Sequence, residues 1–397
     1  MKRLTIAAIL AALALLTACS GANPINGTEA SASSAEAPLP PVQEVLEQPA
    51  EEEAPETAPV QTIEPEIVPD TDPEEPPEDV VEAWEWTYDT PEHQGIRESA
   101  LSALHTTYDS FPLLSAVIVR NGVVVDTYYK DGYDETCVYT LQSVSKSITS
   151  ALVGIAIEQG YLENVDVPLS EFFPELLSAE DTRWSRITLR HLLTHTSGIA
   201  STDSSIWYEW RASENWLDYL FALPIYTEPG TNFDYSTGNT HLLSAVLEQA
   251  TGKSLGDYAG EVLFEPLGMT SAGVGTAPEG VGDGGNGFYM TTLDLARFGL
   301  LYLDGGVWQG QQIVPADWVQ ASTTTQAQRT SDGSRYGYQW WVRTFGGHPA
   351  YVAQGHYGQY IIAVPELSLL IAMNSDYEGS SSIYWQIAND VVAACEG

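Results

Sequence analysis

Two runs rich in β-branched and aromatic residues, 114–120 and 123–130, flank the dipeptide Asn121-Gly122. Such runs joined by Asn-Gly predict a two-stranded hairpin closed by a tight turn. A lone hairpin is unstable in water, so it needs partner strands. Strand patterns return only near the other end of the chain, at 338–343, 360–364 and 367–373. Between them apolar residues recur at three- and four-residue spacing, at 147–159, 189–195, 240–251 and 293–303, which predicts helices. Two more helices are predicted at the edges, 97–108 and about 382–394. The economical solution is an α/β (α+β) domain. The hairpin and the C-terminal strands share one antiparallel sheet, the terminal helices cover it, and a mostly helical region is inserted between. A cleft is expected where the two parts meet.

Ahead of this domain the pattern changes twice. Lys2-Arg3 precede an apolar run from 4 to 16, too short to span a bilayer but the right length for a secretory signal. Its end, Leu16-Thr17-Ala18-Cys19, resembles the lipobox of bacterial lipoproteins. In that family the signal, here 1–18, is removed and the cysteine becomes the lipidated N-terminus. The resemblance implies an exported protein of the bacterial cell envelope, held to the membrane through lipid on Cys19. Residues 20–82 hold 17 Asp and Glu, no Lys or Arg, and 12 of the 23 prolines. With little to bury, 19–82 is expected to be a disordered, self-repelling tether. The domain itself, 83–397, carries 37 acidic and 13 basic residues, a net charge of −24, which argues against nucleic acid or anionic membrane as its partner. Cys137 and Cys395 remain, and the spacing leaves open whether they pair.

The chemistry begins at Ser143-Val144-Ser145-Lys146, which opens the first apolar helix of the inserted region. Ser143 falls in the first turn and Lys146 one turn later on the same face. A serine hydroxyl is a poor nucleophile until a base takes its proton, and a lysine becomes that base when burial lowers its pKa. Tyr235 stands in a turn, Phe233 to Asn239, just before another helix, where its hydroxyl could shuttle a proton. Gln354-Gly355-His356-Tyr357-Gly358-Gln359 precedes a strand and could offer N–H groups to an oxyanion. His191-x-x-x-His195 lacks the glutamate of the zinc-protease motif and an evident third ligand, so core or cap histidines are the better reading. Trp207, Tyr208, Trp210 and Trp216 either wall an apolar site or pack between helices. No Gly-x-Ser-x-Gly and no phosphate-binding Gly-x-x-x-x-Gly-Lys occurs.

Taken together, Ser143-Val-Ser-Lys146, Tyr235-Ser-Thr237 and His356-Tyr-Gly358 resemble, in order, the three motifs of the serine β-lactamase and penicillin-binding-protein superfamily. The 92 residues from Ser143 to Tyr235 suit its class C branch, as do the segments at 187–199, 292–299 and 336–341. The likeness is closest to 6-aminohexanoate-dimer hydrolases and related esterases and covers about 95 to 395. It implies that fold and an acyl-enzyme mechanism. Ser143 would be the nucleophile, Lys146 its base and Tyr235 the proton shuttle. Backbone N–H groups of Ser143 and of 356–359 would bind the oxyanion, with no metal or cofactor. Two positions depart from the motifs. Thr237 replaces the asparagine of Tyr-x-Asn, and His356 stands where Lys-Thr-Gly has its lysine. Both fall where the family binds substrate, so a short-chain ester or linear amide, with an uncharged, apolar acyl group, is expected in preference to a β-lactam. The alternatives are a catalytically silent cell-wall binding or sensing protein on the same fold, or a β-lactamase or D-Ala-D-Ala carboxypeptidase.

Overall fold

The computed structural model describes residues 84–396, so the expected signal, lipid site and tether lie outside the described residues. Asn121 and Gly122 adopt left-handed backbone, φ 51° and 80°, as a two-residue hairpin turn demands. The chain therefore folds β1 (Leu113–Arg120) directly onto β2 (Val123–Tyr129). A small sheet follows from β3 (Val138–Thr140), β4 (Gly273–Val274) and β5 (Phe288–Thr291), and a separate hairpin from β6 (Val307–Trp308) and β7 (Gln311–Gln312). The C-terminal strands are β8 (Ala327–Gln328), β9 (Arg335–Tyr336), β10 (Trp341–Phe345), β11 (His348–Gly355), β12 (Gln359–Val364) and β13 (Leu369–Ser375). They join the first hairpin in one antiparallel sheet of order β2-β1-β13-β12-β11-β10-β9-β8. The expected union of the two chain ends is thus present, through β1 on β13.

Alternation within that pair explains why both strands carry unbroken apolar runs, Ala116–Val119 and Leu369–Met373. Val117 and Val119 face the core shared with the inserted helices, while Ala116 and Ile118 face the opposite core beneath the terminal helices. Ile118 lies opposite Ile371 with both fully buried, each worth about 1.5–3 kcal/mol of apolar transfer. Helices α1 (Glu98–Asp109) and α11 (Ser382–Cys395) cover the second core. Helices α2 (Ser145–Glu158), α3 (Leu189–Leu193), α4 (Trp207–Arg211), α5 (Trp216–Phe221), α6 (Thr237–Thr251), α7 (Leu255–Ala259), α8 (Glu265–Leu267), α9 (Thr292–Leu303) and α10 (Ala316–Thr323) belong to the first.

Two strand expectations change. β11 was hidden in the sequence by Gly346, Gly347 and Pro349 at its start. The run 338–343 becomes ladder only from Trp341, because Gln339 is pinned elsewhere. Its backbone is left-handed (φ 65°), its N–H donates to Leu193 O, and its side-chain amide donates to Leu192 O and Leu193 O. The small sheet was missed because its strands are two to four residues long, below the length at which alternation is readable.

Candidate active site

The turn that carries Ser143 is built by neighbours on three sides. Gln142 has left-handed backbone (φ 50°) and starts a short 3₁₀ turn, Gln142–Val144, that runs into α2. Leu141 N–H donates to Phe288 O, and Phe288 N–H donates to Ser145 Oγ, which ties the turn to β5. The end of β11 closes the third side at Gly355, where a Cβ would come within 2.5 Å of Leu141 O. Only glycine fits that approach. Ser143 is left half-exposed at the cleft while Lys146, behind it, is 1% exposed.

Lys146 Nζ has three close partners: Ser143 Oγ at 2.9 Å, Thr237 Oγ1 at 3.0 Å and Gly285 O at 2.9 Å. Thr237 Oγ1 in turn donates to Asp203 Oδ1 at 3.0 Å, so towards the lysine it can only accept. A carbonyl oxygen also only accepts. When Lys146 is neutral its two N–H bonds are therefore spoken for by Thr237 and Gly285, and its lone pair is left for Ser143. When it is protonated, the third N–H occupies Ser143 Oγ, and the serine proton turns to Asn286 Oδ1 at 3.2 Å. Burial drives the lysine pKa down from 10.5 to about 8; Asp203 and Asp283 oppose this, and Arg211 reinforces it.

Tyr235 enters from the turn before α6. Its ring lies 5.1 Å beneath Lys146 Nζ, stacks on Trp341 at 5.9 Å with planes 14° apart, and rests against His195 at 4.5 Å. Burial and then Asp203 push its hydroxyl pKa far up, with Ser143 offsetting part of the rise. The Tyr235 hydroxyl therefore stays protonated, and of the two groups beside Ser143 only the lysine amine has its pKa lowered.

The sequence-derived residues do not all sit as expected. Ser143, Tyr235, His356, Tyr357 and Gly358 line one cleft of about 770 Å³, with His356 exposed and Tyr357 in left-handed backbone (φ 61°). Thr237, expected to touch substrate, is instead wholly buried and faces the lysine. At the first position of α6 its hydroxyl lies between Lys146 Nζ and Asp203 Oδ1, behind the cleft surface. The two histidines of the 191–195 pair diverge. His191 Nδ1 caps α3 by accepting from Thr188 N–H at 3.1 Å, while His195, past the helix end, is buried under Tyr235 and held neutral by desolvation. The tryptophans divide: Trp207 and Tyr208 line the cleft, whereas Trp210 and Trp216 are buried. Cys137 is buried with its thiol donating to Asp134 at 3.6 Å, and Cys395 ends α11.

Sequence reasoning missed the segment Asp283-Gly284-Gly285-Asn286. Its carbonyl and its amide both reach the Ser143–Lys146 pair. Asp283 accepts the Asn286 N–H at 3.1 Å and takes Arg211 in a 2.7 Å ion pair, and Arg211 lies 3.9 Å over the Trp216 ring. The buried tryptophans thus hold the arginine that holds this loop. At Gly285 a Cβ would meet Thr237 Cγ2 at 2.6 Å, so no larger residue could bring its carbonyl so near. The glycine cluster at 282–287 was the available signal.

A half-exposed serine with a buried lysine 2.9 Å behind it and a protonated tyrosine beside them, next to a sheet that joins the first and last strands of the described domain, defines a serine hydrolase. Residues 103–391 match the family described as Beta-lactamase, and the chain belongs to it. It is 26% identical over 292 residues to the 6-aminohexanoate-dimer hydrolase of Paenarthrobacter ureafaciens, covering 68% of this chain and 74% of that one. To esterase EstB of Burkholderia gladioli it is 30% identical over 162 residues, 36% of this chain and 41% of that one. The fold is that of the class C beta lactamase from Rhodobacter sphaeroides, with a TM-score of 0.60 at 16% identity, over 76% of this chain and all of the other.

Proposed function

We propose that this protein is an envelope-tethered esterase or amidase that cleaves small open-chain substrates through an acyl-enzyme on Ser143. The observation that carries the reading is the lysine amine, buried 2.9 Å from the serine hydroxyl, with Thr237 Oγ1 and Gly285 O as its other close partners. Neutral Lys146 takes the Ser143 proton as Oγ attacks the carbonyl carbon. Backbone N–H groups of Ser143 and of the 356–359 turn receive the oxyanion. As the tetrahedral species collapses, Tyr235 gives its proton to the leaving alcohol or amine and regains one from Lys146. A water then attacks the acyl-enzyme with Tyr235 and Lys146 accepting its proton, and Ser143 leaves reprotonated. Asn286 parks the serine proton whenever the lysine is charged.

Two features favour esters and linear amides over β-lactams. The cleft presents His356, not a lysine, at the third motif. The rings of Trp207 and Tyr208 suit an apolar acyl group. A fluorophosphonate probe should label Ser143, and kcat/KM for p-nitrophenyl butyrate should exceed that for nitrocefin by at least tenfold. Equal or reversed values would overturn the substrate reading, and an unlabelled wild-type protein the catalytic one.

The tether is part of the same proposal. Its support is the Leu16-Thr17-Ala18-Cys19 ending followed by the proline-rich acidic segment; among the described residues no helix is long and apolar enough to cross a membrane. Wild-type protein should fractionate with membranes, and Cys19→Ser should be released or left unprocessed. A mature N-terminus other than Cys19 would refute it.

A further inference from the structure

The loop 282–287 reads Gly-Asp-Gly-Gly-Asn-Gly, so little in its own side chains dictates its path. Yet Gly285 O lies 2.9 Å from Lys146 Nζ, and Asn286 Oδ1 lies 3.2 Å from Ser143 Oγ. Groups outside the loop must hold those oxygens in place. The Thr149 hydroxyl, on α2, donates to Gly284 O at 2.8 Å. From the other side Asp283, 4% exposed, engages both carboxylate oxygens. Oδ1 accepts the Asn286 N–H at 3.1 Å, and Oδ2 accepts from Arg211 Nη1 at 2.7 Å. The Asp283 N–H donates to Gly275 O at 2.8 Å, and its C=O accepts the Gly287 N–H at 2.7 Å. Arg211 is the last residue of α4, and its guanidinium lies 3.9 Å over Trp216, 5.5 Å over Trp207 and 5.9 Å over Trp210. Trp216 is pinned in turn: its N–H donates to Glu279 at 3.1 Å, and Glu279 pairs with buried His241 at 2.8 Å.

We propose that Asp283 and Arg211 are positioning residues for the base: Asp283 sets the oxygens of Gly285 and Asn286 against Lys146 and Ser143, and Arg211 fixes Asp283 and balances its charge. This rests on the hydrolase reading above and adds two residues to its machinery. Neither touches the reacting atoms. A carboxylate this buried is costly without a counter-ion. Near Lys146 it also favours the ammonium form, which cannot take the serine proton. Arg211 opposes that. The charged and titratable groups around Lys146 are Asp203 behind Thr237, Asp283 and Arg211 behind the loop, and Tyr235 and His195 beside them. Burial is the largest influence and lowers the lysine pKa; Asp203 and Asp283 raise it, and Arg211 lowers it. Removing Arg211 and removing Asp283 should therefore move the base in opposite directions. A pair that only held the fold together would move it in one direction or in none.

The test reads the acid limb of kcat/KM for a neutral ester, p-nitrophenyl butyrate, in wild type, Arg211→Gln, Asp283→Asn and the double variant. The amide of Asp283→Asn can still accept the Asn286 N–H, so the loop keeps that bond while the charge goes. Arg211→Gln should shift the limb to higher pH and Asp283→Asn to lower pH, each by roughly half a pH unit. At a pH well below the midpoint that is about a threefold change in the share of plateau rate, down in the first and up in the second. The double variant, with neither charge, should return close to wild type. Arg211→Lys, which keeps the charge, should leave the limb in place and lower only the plateau. The limb position does not depend on how much protein is folded, so an unstable variant does not mimic the effect. Shifts of the same sign, no shift in either single variant, or a shift in Arg211→Lys as large as in Arg211→Gln overturns the proposal while the hydrolase reading stands. If wild type neither cleaves the ester nor is labelled at Ser143 by a fluorophosphonate, the hydrolase reading falls and the positioning roles with it.

Discussion

Lys146→Ala is expected to lower kcat/KM by about a thousandfold or more, since general-base assistance is typically worth roughly 10²–10⁴. Ser143→Ala removes the acyl-enzyme altogether, and Tyr235→Phe leaves the leaving group to depart unprotonated. The three losses should not add, because the residues pass one proton among themselves. The pH profile carries the sharper signature. Lys146 must be neutral to act, and burial places its pKa at about 8. Activity towards a neutral ester should therefore rise about tenfold per pH unit below that value and level off above it. A flat profile across the neutral range, or near-wild-type turnover in Lys146→Ala, would sink the assignment.

The same burial has a cost in stability. Lysine in water has a pKa of 10.5, and folding lowers it to about 8. Between those values the unfolded chain holds a proton that the folded chain has released. Stability from this group accordingly rises with pH across that window, and the penalty is complete below it. At about 1.4 kcal/mol per pKa unit, the full swing is about 3 kcal/mol, of which roughly 1–1.5 should appear between pH 7 and 9. Urea unfolding of wild type and Lys146→Met at both pH values would reveal it as a difference of differences, in which the titrations common to both proteins cancel. Identical pH dependence in the two would mean that the lysine is not desolvated.

What could be read in advance was whatever the chain writes locally. The Asn121-Gly122 turn, the apolar run of α2 and the three-residue step from Ser143 to Lys146 each depend on neighbours within one turn. The orientation of the lysine does not. It is set by Thr237, by Asp203 from an exposed turn, and by a main-chain carbonyl at Gly285, a group that every residue possesses. Nothing in a sequence marks one carbonyl as special; only the glycines around it hint that backbone must come close. Arg329 and Arg343, which line the cleft, were equally silent. As single charges on short strands or turns they look like solvated surface, until the fold sets both against Trp341.

The pairing of β1 with β13 has a consequence in time. Ser375 Oγ donates to Pro112 O across 263 positions, and the first and last strands of the domain pair within the sheet. Contacts of such long range form slowly and only once both partners exist. Ser143, Lys146 and Tyr235 all leave the ribosome well before Trp341, Arg343 and the 354–358 turn that complete the cleft. During synthesis the chain thus carries its nucleophile and base without the walls that bring a substrate to them, and catalysis waits for the last strand to arrive.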